Sequence, residues 1–387
     1  MFLKRVAKQI CIGLVASVTG ISLSFSTVPA STVSAAGWGD ILGIGLGVAQ
    51  AAQQKEQVMN YFRQLNSTPE GQEYVLQLFQ EENGINDNEA LNRRFDDIML
   101  NLTKAVAEVD PSINEFPYKY FINQQGSINA ACGMGHVMMV NSGTFDYVAN
   151  DDEIAAVVGH EMGHGQKNHV INGISSSIDK TMVAQIAVAA TGGTALGNLI
   201  GNIALNHSIV HADKRHEWEA DGLAFEYMTH TNYNPGACAA VMQRFMELMG
   251  SQKQSMGDML LNPSDHPNTE ARRDKYIKQL YEYSGKHVNM KDGMVMVNGK
   301  DFVKPAPAAG MSTVERSCFV LGNLAAAYNH GHDKSAAHVE NGVVMLGPQA
   351  ILTPTAEDET AEVLAERLNS IKDGKDKDKK EKKDKDK

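Results

Sequence analysis

Cysteine is scarce in this sequence, and the few cysteines are too far apart for a disulfide framework or a cysteine-based zinc site. There are four among 387 residues. Disulfide-dependent secreted domains carry many closely spaced cysteines, and structural zinc sites use close cysteine pairs. Cys132, Cys238 and Cys318 show neither arrangement. We interpret them as small buried apolar residues, and the sequence is compatible with one disulfide among them.

Positive charge is also in deficit, since the formal net charge is -11. Residues 372–387 are almost entirely Lys, Asp and Glu with Lys in excess, so the rest of the chain is more acidic than the total. A protein that binds nucleic acid needs a basic surface to neutralise phosphates. The composition therefore predicts no nucleic-acid partner, and residues 372–387 are predicted to be a charged, disordered tail.

The first 36 residues have the pattern of an export signal. Basic residues within the first eight positions precede an apolar run over about residues 10–25, and small residues at 34–36 offer a cleavage site. An uncleaved membrane anchor is the alternative, but the run is short and contains Ser and Gly. The pattern predicts an exported protein that is periplasmic or extracellular, with a membrane-surface or envelope-protein association left open.

Periodicity predicts an α+β fold in two parts: a mainly helical part with a small strand element, residues 37–286, and a small α+β part, residues 287–371. Four helices are predicted here. The first begins at Pro69, the second spans Asn88–Val109, the third runs from Asp151 to about His169, and the fourth spans about Asp213–Tyr227. Val137–Val140 is a predicted strand, followed by a turn at 141–143. Residues 182–205 are long enough to cross a bilayer, yet Gly192–Gly193 and polar residues favour two short helices.

The small α+β part contains a weak internal repeat. The segment Asp292–Val297 resembles Asn341–Leu346, and each is followed by a second short apolar segment that ends at a proline and then by a helical pattern. The repeat predicts two strand-strand-helix units that arose by duplication. Chance similarity of two apolar hairpins is the alternative.

A metal site is indicated by the sequence His160-Glu161-Met162-Gly163-His164. Residues four positions apart on a helix lie one turn apart on the same face, so two imidazoles at this spacing can bind one metal ion. The adjacent Glu161 can take a proton from the attacking water. Zinc suits two nitrogen ligands, a carboxylate and an open fourth position, so the pattern predicts one Zn²⁺ per chain.

The third ligand must come from elsewhere, because the extended HExxHxxGxxH pattern is interrupted by Lys167 and Val170. On a later predicted helix, Glu217 and Asp221 share a face, while Glu219 points nearly opposite. One of the first two carboxylates can bind zinc while the other accepts a hydrogen bond from a liganding histidine. The nearby histidines 169, 207, 211 and 216 are interpreted as surface or loop residues, and competition of one of them for zinc in a latent state is the alternative.

Four ordered elements resemble one known family. Residues 152–164 look like the active-site helix of the zinc metallopeptidases that include the CAAX prenyl proteases and the HtpX-like and BepA-like bacterial proteases. The family's ExxxD element matches Glu217 to Asp221, and its strand entry resembles Asn129-Ala130-Ala131. Its late His-Pro motif with a following arginine matches His266-Pro267 and Arg272. The resemblance covers about residues 53–285 and does not extend into the repeat.

The resemblance implies a role for each matched residue. Glu217 would be the third zinc ligand beside His160 and His164, and Asp221 would orient a histidine. Residues 129–131 would present backbone groups to an extended peptide. His266 would stabilise the developing oxyanion, with Arg272 supporting it.

The resemblance also implies a reaction, namely zinc-dependent endopeptidase cleavage of peptides or unfolded proteins. With the export signal, it predicts a role in quality control of cell-envelope proteins. The alternative from another class is a zinc-bearing chaperone or assembly factor of the envelope with secondary proteolysis. A second alternative, an integral-membrane protease, depends on residues 182–205 alone.

Overall fold

The computed structural model describes residues 51–148, 150–177, 214–250 and 268–373. The predicted export signal, the apolar segment 182–205, His266 and all but the first two residues of the predicted tail lie outside these ranges. Among the helices that are described, none combines the length and the apolar composition needed to cross a membrane.

The described chain begins with three helices, α1 (Ala51–Ser67), α2 (Pro69–Asn83) and α3 (Glu89–Val109). The hydroxyl of Thr68 accepts a hydrogen bond from the Gly71 amide, and Pro69 occupies the first turn, as predicted. The side chain of Asn88 caps α3, whose apolar face is buried. The structure therefore confirms the predicted start of α2 and the predicted bounds of α3 to within one residue.

A three-stranded sheet follows, with β1 (Lys119–Asn123), β2 (Ala130–Cys132) and β3 (Val137–Asn141). The order is β1-β3-β2, with β1 parallel and β2 antiparallel to β3, so β2 is an edge strand. The turn predicted at 141–143 is wrong, because Ser142 begins a short helix, α4 (Ser142–Tyr147). A Cβ atom at Gly143 would lie 2.2 Å from the carbonyl oxygen of Gly126, so this glycine serves a close backbone contact.

The central helix of the fold is α5 (Asp151–Gln166). The side chain of Asn150 caps its first turn by accepting a hydrogen bond from the Glu153 amide, and three acidic residues there complement the helix dipole. Most of its residues are buried, because α5 packs between the sheet and other helices. The helices that follow α5 are α6 (His169–Ser177), α7 (Lys214–Thr229), α8 (Ala237–Gly250) and α9 (Thr269–Tyr283). Helix α5 packs against α3, α6, α7 and α8.

The C-terminal region contains two copies of one unit. The first copy comprises β4 (Val288–Lys291), β5 (Met294–Val297), β6 (Lys300–Val303) and α10 (Thr313–Asn329). The second comprises β7 (Ala337–Glu340), β8 (Val343–Leu346), β9 (Gln349–Leu352) and α11 (Ala361–Ile371). Both sheets are antiparallel, and both have a register shift at the same point of the middle strand.

The number of strands in each unit corrects the sequence prediction, which counted two rather than three. The missed strands, β4 and β7, each bury only their first residue, so they carry too little alternation to be detected. The segments predicted as strands from Asp292 and Asn341 instead begin with two-residue turns. Asp292-Gly293 and Asn341-Gly342 have positive φ at both residues, which is the geometry of a tight hairpin turn.

The two units pack on each other and on the preceding helices. Helix α10 contacts β9 of the other unit, and α11 contacts β6. The guanidinium of Arg367 donates a 2.8 Å hydrogen bond to the carbonyl oxygen of Phe302, and Arg316 contacts the carboxylate of Asp358 at 2.9 Å. Helix α10 also packs against α8 and α9, so one buried apolar core extends from α3 to α11.

Cys132, Cys238 and Cys318 are buried and form no disulfide within the described residues. This confirms their interpretation as small apolar residues.

Candidate metal centre

The structure brings His160, His164 and Glu217 together. The Nε2 atoms of the two histidines are 3.1 Å apart. The Glu217 carboxylate lies 3.2 Å from Nε2 of His164 and 3.6 Å from Nε2 of His160. One donor atom from each of the three residues lies within 4.8 Å of the others, and all three side chains are buried. The donors therefore face one small volume.

Close packing of α5 against α7 positions the carboxylate. A Cβ atom at Gly163 would lie 3.0 Å from the Cα of Ala220, so the glycine allows the two helices to approach at this point. Glu217 lies nearly one helical turn before Ala220 and therefore faces the histidine pair. The convergence follows from local helical spacing on both elements together with one glycine at the crossing.

These residues fit a zinc ion. Two imidazole nitrogens and one carboxylate oxygen are the ligand set of many catalytic zinc sites, which keep a fourth position open. Burial and Arg272 disfavour a charge on His160, but hydrogen bonds to Asp221 and Glu217 outweigh them and raise the pKa of His160 to about 9. A cation at this position is therefore favoured by the surrounding carboxylates.

The other ring nitrogen of His160 contacts a buried carboxylate. Its Nδ1 lies 3.0 Å from Oδ1 of Asp221, which also accepts a 2.8 Å hydrogen bond from the hydroxyl of Tyr276. Arg272 donates to both oxygens of Asp221. Burial by itself would raise the pKa of Asp221, but Arg272 and His160 hold it well below its usual value. Asp221 is thus an ionised acceptor that fixes the orientation of the His160 ring.

His169 is a member of the site that the sequence interpretation missed. It is 1% exposed, so its interpretation as a surface histidine is wrong. Its Nδ1 lies 2.9 Å from Nδ1 of His164, its Nε2 lies 3.2 Å from Oε2 of Glu219, and its ring stacks on that of His216 at 4.1 Å. Burial lowers the pKa of His169 to about 4, so the ring is neutral at pH 7. The sequence signal for His169 was its position five residues after His164. This spacing crosses the end of α5 at Gln166, so helical periodicity does not predict the contact.

Glu161 lies on the side of α5 that faces the edge strand β2. Its Oε2 accepts a 3.2 Å hydrogen bond from the backbone N–H of Cys132, and the side chain is 2% exposed. On the other side, towards α8, a cavity of about 20 Å³ is lined by His160, Glu161 and apolar residues that include Val241 and Met242. The hydrogen bond from β2 therefore fixes the Glu161 carboxylate, and Glu161 shares this cavity with the metal ligand His160.

The backbone N–H and C=O groups along β2 point alternately towards β3 and away from it. The carbonyl of Asn129 accepts from the Asn141 amide, and the Gly133 amide donates to the Val137 carbonyl, so residues 129, 131 and 133 pair with β3. In an antiparallel ladder, the backbone groups of the intervening residues point to the other side. The N–H and C=O groups of Ala130 and Cys132 therefore face away from β3.

His266 lies outside the described residues. Arg272, which the resemblance placed in support of His266, contacts Asp221 and also lies 3.3 Å from Nδ1 of His160 through its Nη2 atom. Tyr276, one turn further along α9, is a partner of Asp221 that the sequence interpretation did not identify.

Comparisons with known proteins agree with this geometry. Residues 89–280 match the profile of Peptidase family M48. The chain is 28% identical over 190 residues to Metalloprotease LoiP of Escherichia coli (strain K12), which is 48% of this chain and 71% of LoiP. It is 28% identical over 172 residues to Metalloprotease YcaL of the same organism, which is 44% of this chain and 65% of YcaL.

A third similarity is to the Beta-barrel assembly-enhancing protease of Yersinia pestis, at 25% identity over 174 residues. This match covers 40% of the chain and 33% of the relative. The chain therefore spans most of LoiP, just under two thirds of YcaL and a third of the third relative.

Proposed function

This chain is a zinc metallopeptidase of the M48 type, and from that premise we propose that it cleaves peptide bonds of cell-envelope proteins in quality control. The observation that carries the proposal is the convergence of His160, His164 and Glu217 beside the Glu161 carboxylate. The predicted export signal at residues 1–36 supports a location outside the cytoplasm.

His160, His164 and Glu217 would hold the zinc ion. When bound, zinc would act as a Lewis acid on the attacking water and on the scissile carbonyl. Glu161 takes a proton from the attacking water and passes it to the leaving amine. Its hydrogen bond from the Cys132 amide keeps the carboxylate in place for both transfers. The Asp221 carboxylate accepts a hydrogen bond from Nδ1–H of His160. This bond keeps the proton on Nδ1 and leaves Nε2 to face the metal position.

The peptide substrate is proposed to lie along β2 as an added strand. In this proposal the backbone N–H and C=O groups of Ala130, which is buried in the structure, would pair with the peptide, because they point away from β3. Because an added strand pairs through alternate residues, N-methylation of a peptide substrate should block cleavage at every second backbone position near the scissile bond. Inhibition that is equal at successive positions would contradict strand addition.

The function can be tested on the purified mature protein. We expect one equivalent of zinc per chain, cleavage of casein, loss of cleavage with a chelator and recovery on adding zinc. The Glu161→Gln variant should bind one zinc and cleave at least about 10²-fold more slowly, since a general base contributes roughly 10²–10⁴-fold. Metal-free protein that cleaves casein, or a fully active Glu161→Gln variant, would refute the assignment.

One observation favours a second candidate function, that of an envelope assembly factor that binds unfolded chains. The name of one relative, the Beta-barrel assembly-enhancing protease of Yersinia pestis, joins proteolysis with barrel assembly. Wild type and Glu161→Gln can be compared for rescue of an envelope-assembly defect in a strain that lacks this protein. Equal rescue by both would favour the assembly role, whereas rescue by wild type alone would favour proteolysis.

A further inference from the structure

The two liganding histidines differ in what their Nδ1 atoms contact. Nδ1 of His160 faces the ionised carboxylate of Asp221 at 3.0 Å. Nδ1 of His164 lies 2.9 Å from Nδ1 of a second imidazole, that of His169. The second imidazole is buried, while the carboxylate beyond it, on Glu219, is half exposed. The His164 ring is therefore linked to the protein surface through the His169 ring.

The protons of this chain of contacts have one consistent arrangement when zinc is bound. His164 binds zinc through Nε2, so its Nδ1 carries the proton and donates. Nδ1 of His169 must then accept and carries no proton, so the ring proton of His169 lies on Nε2. That Nε2–H points at Oε2 of Glu219, 3.2 Å away, which is an acceptor. Each nitrogen and oxygen thus has a complementary partner.

We propose that His169 is a positioning residue for the zinc ligand His164, and that Glu219 fixes the tautomer of His169. The role of Glu219 follows from its place on α7: Glu217 of the same helix faces the metal donors, whereas Glu219 reaches His169 from outside. His216 stacks on His169 with an interplanar angle of 10° and holds its plane without serving as the acceptor. The inference rests on the proposed zinc-ligand set.

The test measures zinc affinity by competition with a chromogenic chelator. In His169→Leu the acceptor is removed, and we expect the zinc dissociation constant to rise about 10–100-fold, the usual effect of losing a partner of a liganding histidine. In His169→Asn, the side-chain oxygen can replace Nδ1 as acceptor and should restore most of the affinity. His216→Phe keeps the stacked ring and should stay within about twofold of wild type.

A pair of substitutions at the surface end tests the tautomer without changing the buried ring. Glu219→Gln retains an oxygen acceptor for Nε2–H and should bind zinc within about twofold of wild type. Glu219→Leu removes the acceptor and should weaken zinc binding several-fold. Nitrogen-15 NMR of the zinc-loaded protein should show the His169 proton on Nε2. This pair remains informative if His169→Leu does not fold.

The outcomes separate this inference from the proposed function. If wild type binds one zinc but His169→Leu matches its affinity, or if the His169 proton resides on Nδ1, the positioning role is wrong while the zinc site stands. If wild type binds no zinc, the proposed function itself fails. Unfolding of the metal-free variants in urea shows whether a lower affinity merely reflects lost stability, since a purely structural role would lower stability equally in His169→Leu and His169→Asn.

Discussion

Arg272 of α9 donates hydrogen bonds of 2.9 Å from Nε and 2.6 Å from Nη2 to the two carboxylate oxygens of Asp221 on α7. Both side chains are buried, at 5% and 0% exposure. Removal of one partner from such a buried pair leaves an uncompensated charge, which is more costly than the pair itself is stabilising. This pair therefore fixes the acceptor of His160 and also joins α9 to the metal centre.

The Arg272→Met variant should lose about 3–5 kcal/mol of unfolding free energy, because Asp221 then keeps a buried charge without its main partner. Addition of Asp221→Asn to this variant should recover part of the loss, since the charge is removed as well. Urea unfolding of the chelated proteins measures both effects. If Arg272→Met were destabilised by less than about 1 kcal/mol, or if the double variant were worse than additive, the pair would not have the assigned role.

The glycine at the crossing of α5 and α7 offers a matched comparison. Gly163→Ala would place its Cβ 3.0 Å from the Cα of Ala220, so the helices must separate, and we expect a loss of about 1–3 kcal/mol together with weaker zinc binding. Gly222→Ala on α7 meets no atom within 4 Å and should stabilise the protein by about 0.5–1 kcal/mol. Calorimetry of both proteins checks the difference. An equal effect of the two substitutions would show that helix propensity alone decides.

The metal donors could be predicted from sequence because helical periodicity alone determines their grouping. His160 and His164 share a face of one helix, as do Glu217 and Asp221 on another, whatever the rest of the chain does. Only the meeting of the two helices required the family resemblance, and the structure shows that it depends on Gly163.

Other parts of the site depend on tertiary structure and could not be read from spacing. The contact between His169 and His164 crosses the end of α5, where the helical repeat no longer applies. The hydrogen bond from the Cys132 amide to Glu161 depends on the register of β2 against β3. The strands β4 and β7 were missed for a related reason, since each is held by its partner strand rather than by an apolar pattern of its own.

Arg244 links the catalytic helix to the first C-terminal unit. Its Nε lies 3.4 Å from the Glu153 carboxylate on α5 and 3.1 Å from the Glu315 carboxylate on α10, and both glutamates are buried. Arg244→Met should therefore cost about 3–5 kcal/mol, because two buried carboxylates lose their shared cation. Arg93→Met removes an exposed partner of Glu89 and should cost less than about 0.5 kcal/mol.

These two arginine variants also test how far the C-terminal units stabilise the peptidase helices. Chemical unfolding followed separately by a probe on α5 and a probe on α10 should show a single transition in wild type. In Arg244→Met both probes should shift together. A shift of the α10 probe alone would show that the contact does not transmit stability to the catalytic helix.

Asp358 joins the two C-terminal units and predicts a pH-dependent contribution to stability. Its carboxylate accepts hydrogen bonds from the amides of Ala306 and Thr355 and contacts Arg316 at 2.9 Å. Burial would raise the pKa of Asp358, but these hydrogen bonds outweigh it and hold the pKa below its usual value. A pKa that folding depresses contributes stability above the unfolded-state value, and the contribution is lost as the pH falls through the folded-state value.

Asp358→Asn should therefore be about 1–3 kcal/mol less stable than wild type at pH 7. This difference should shrink as the pH falls below about 4, because Asp358 of the unfolded wild-type chain then takes up a proton, and the folded protein follows at lower pH. Urea unfolding of both proteins between pH 7 and pH 3 measures the difference. Asp301→Asn, at an exposed position of β6, should change stability by less than about 0.5 kcal/mol throughout. A difference for Asp358→Asn that stayed constant over this range would show that the shape of the side chain, rather than its charge, joins the two units.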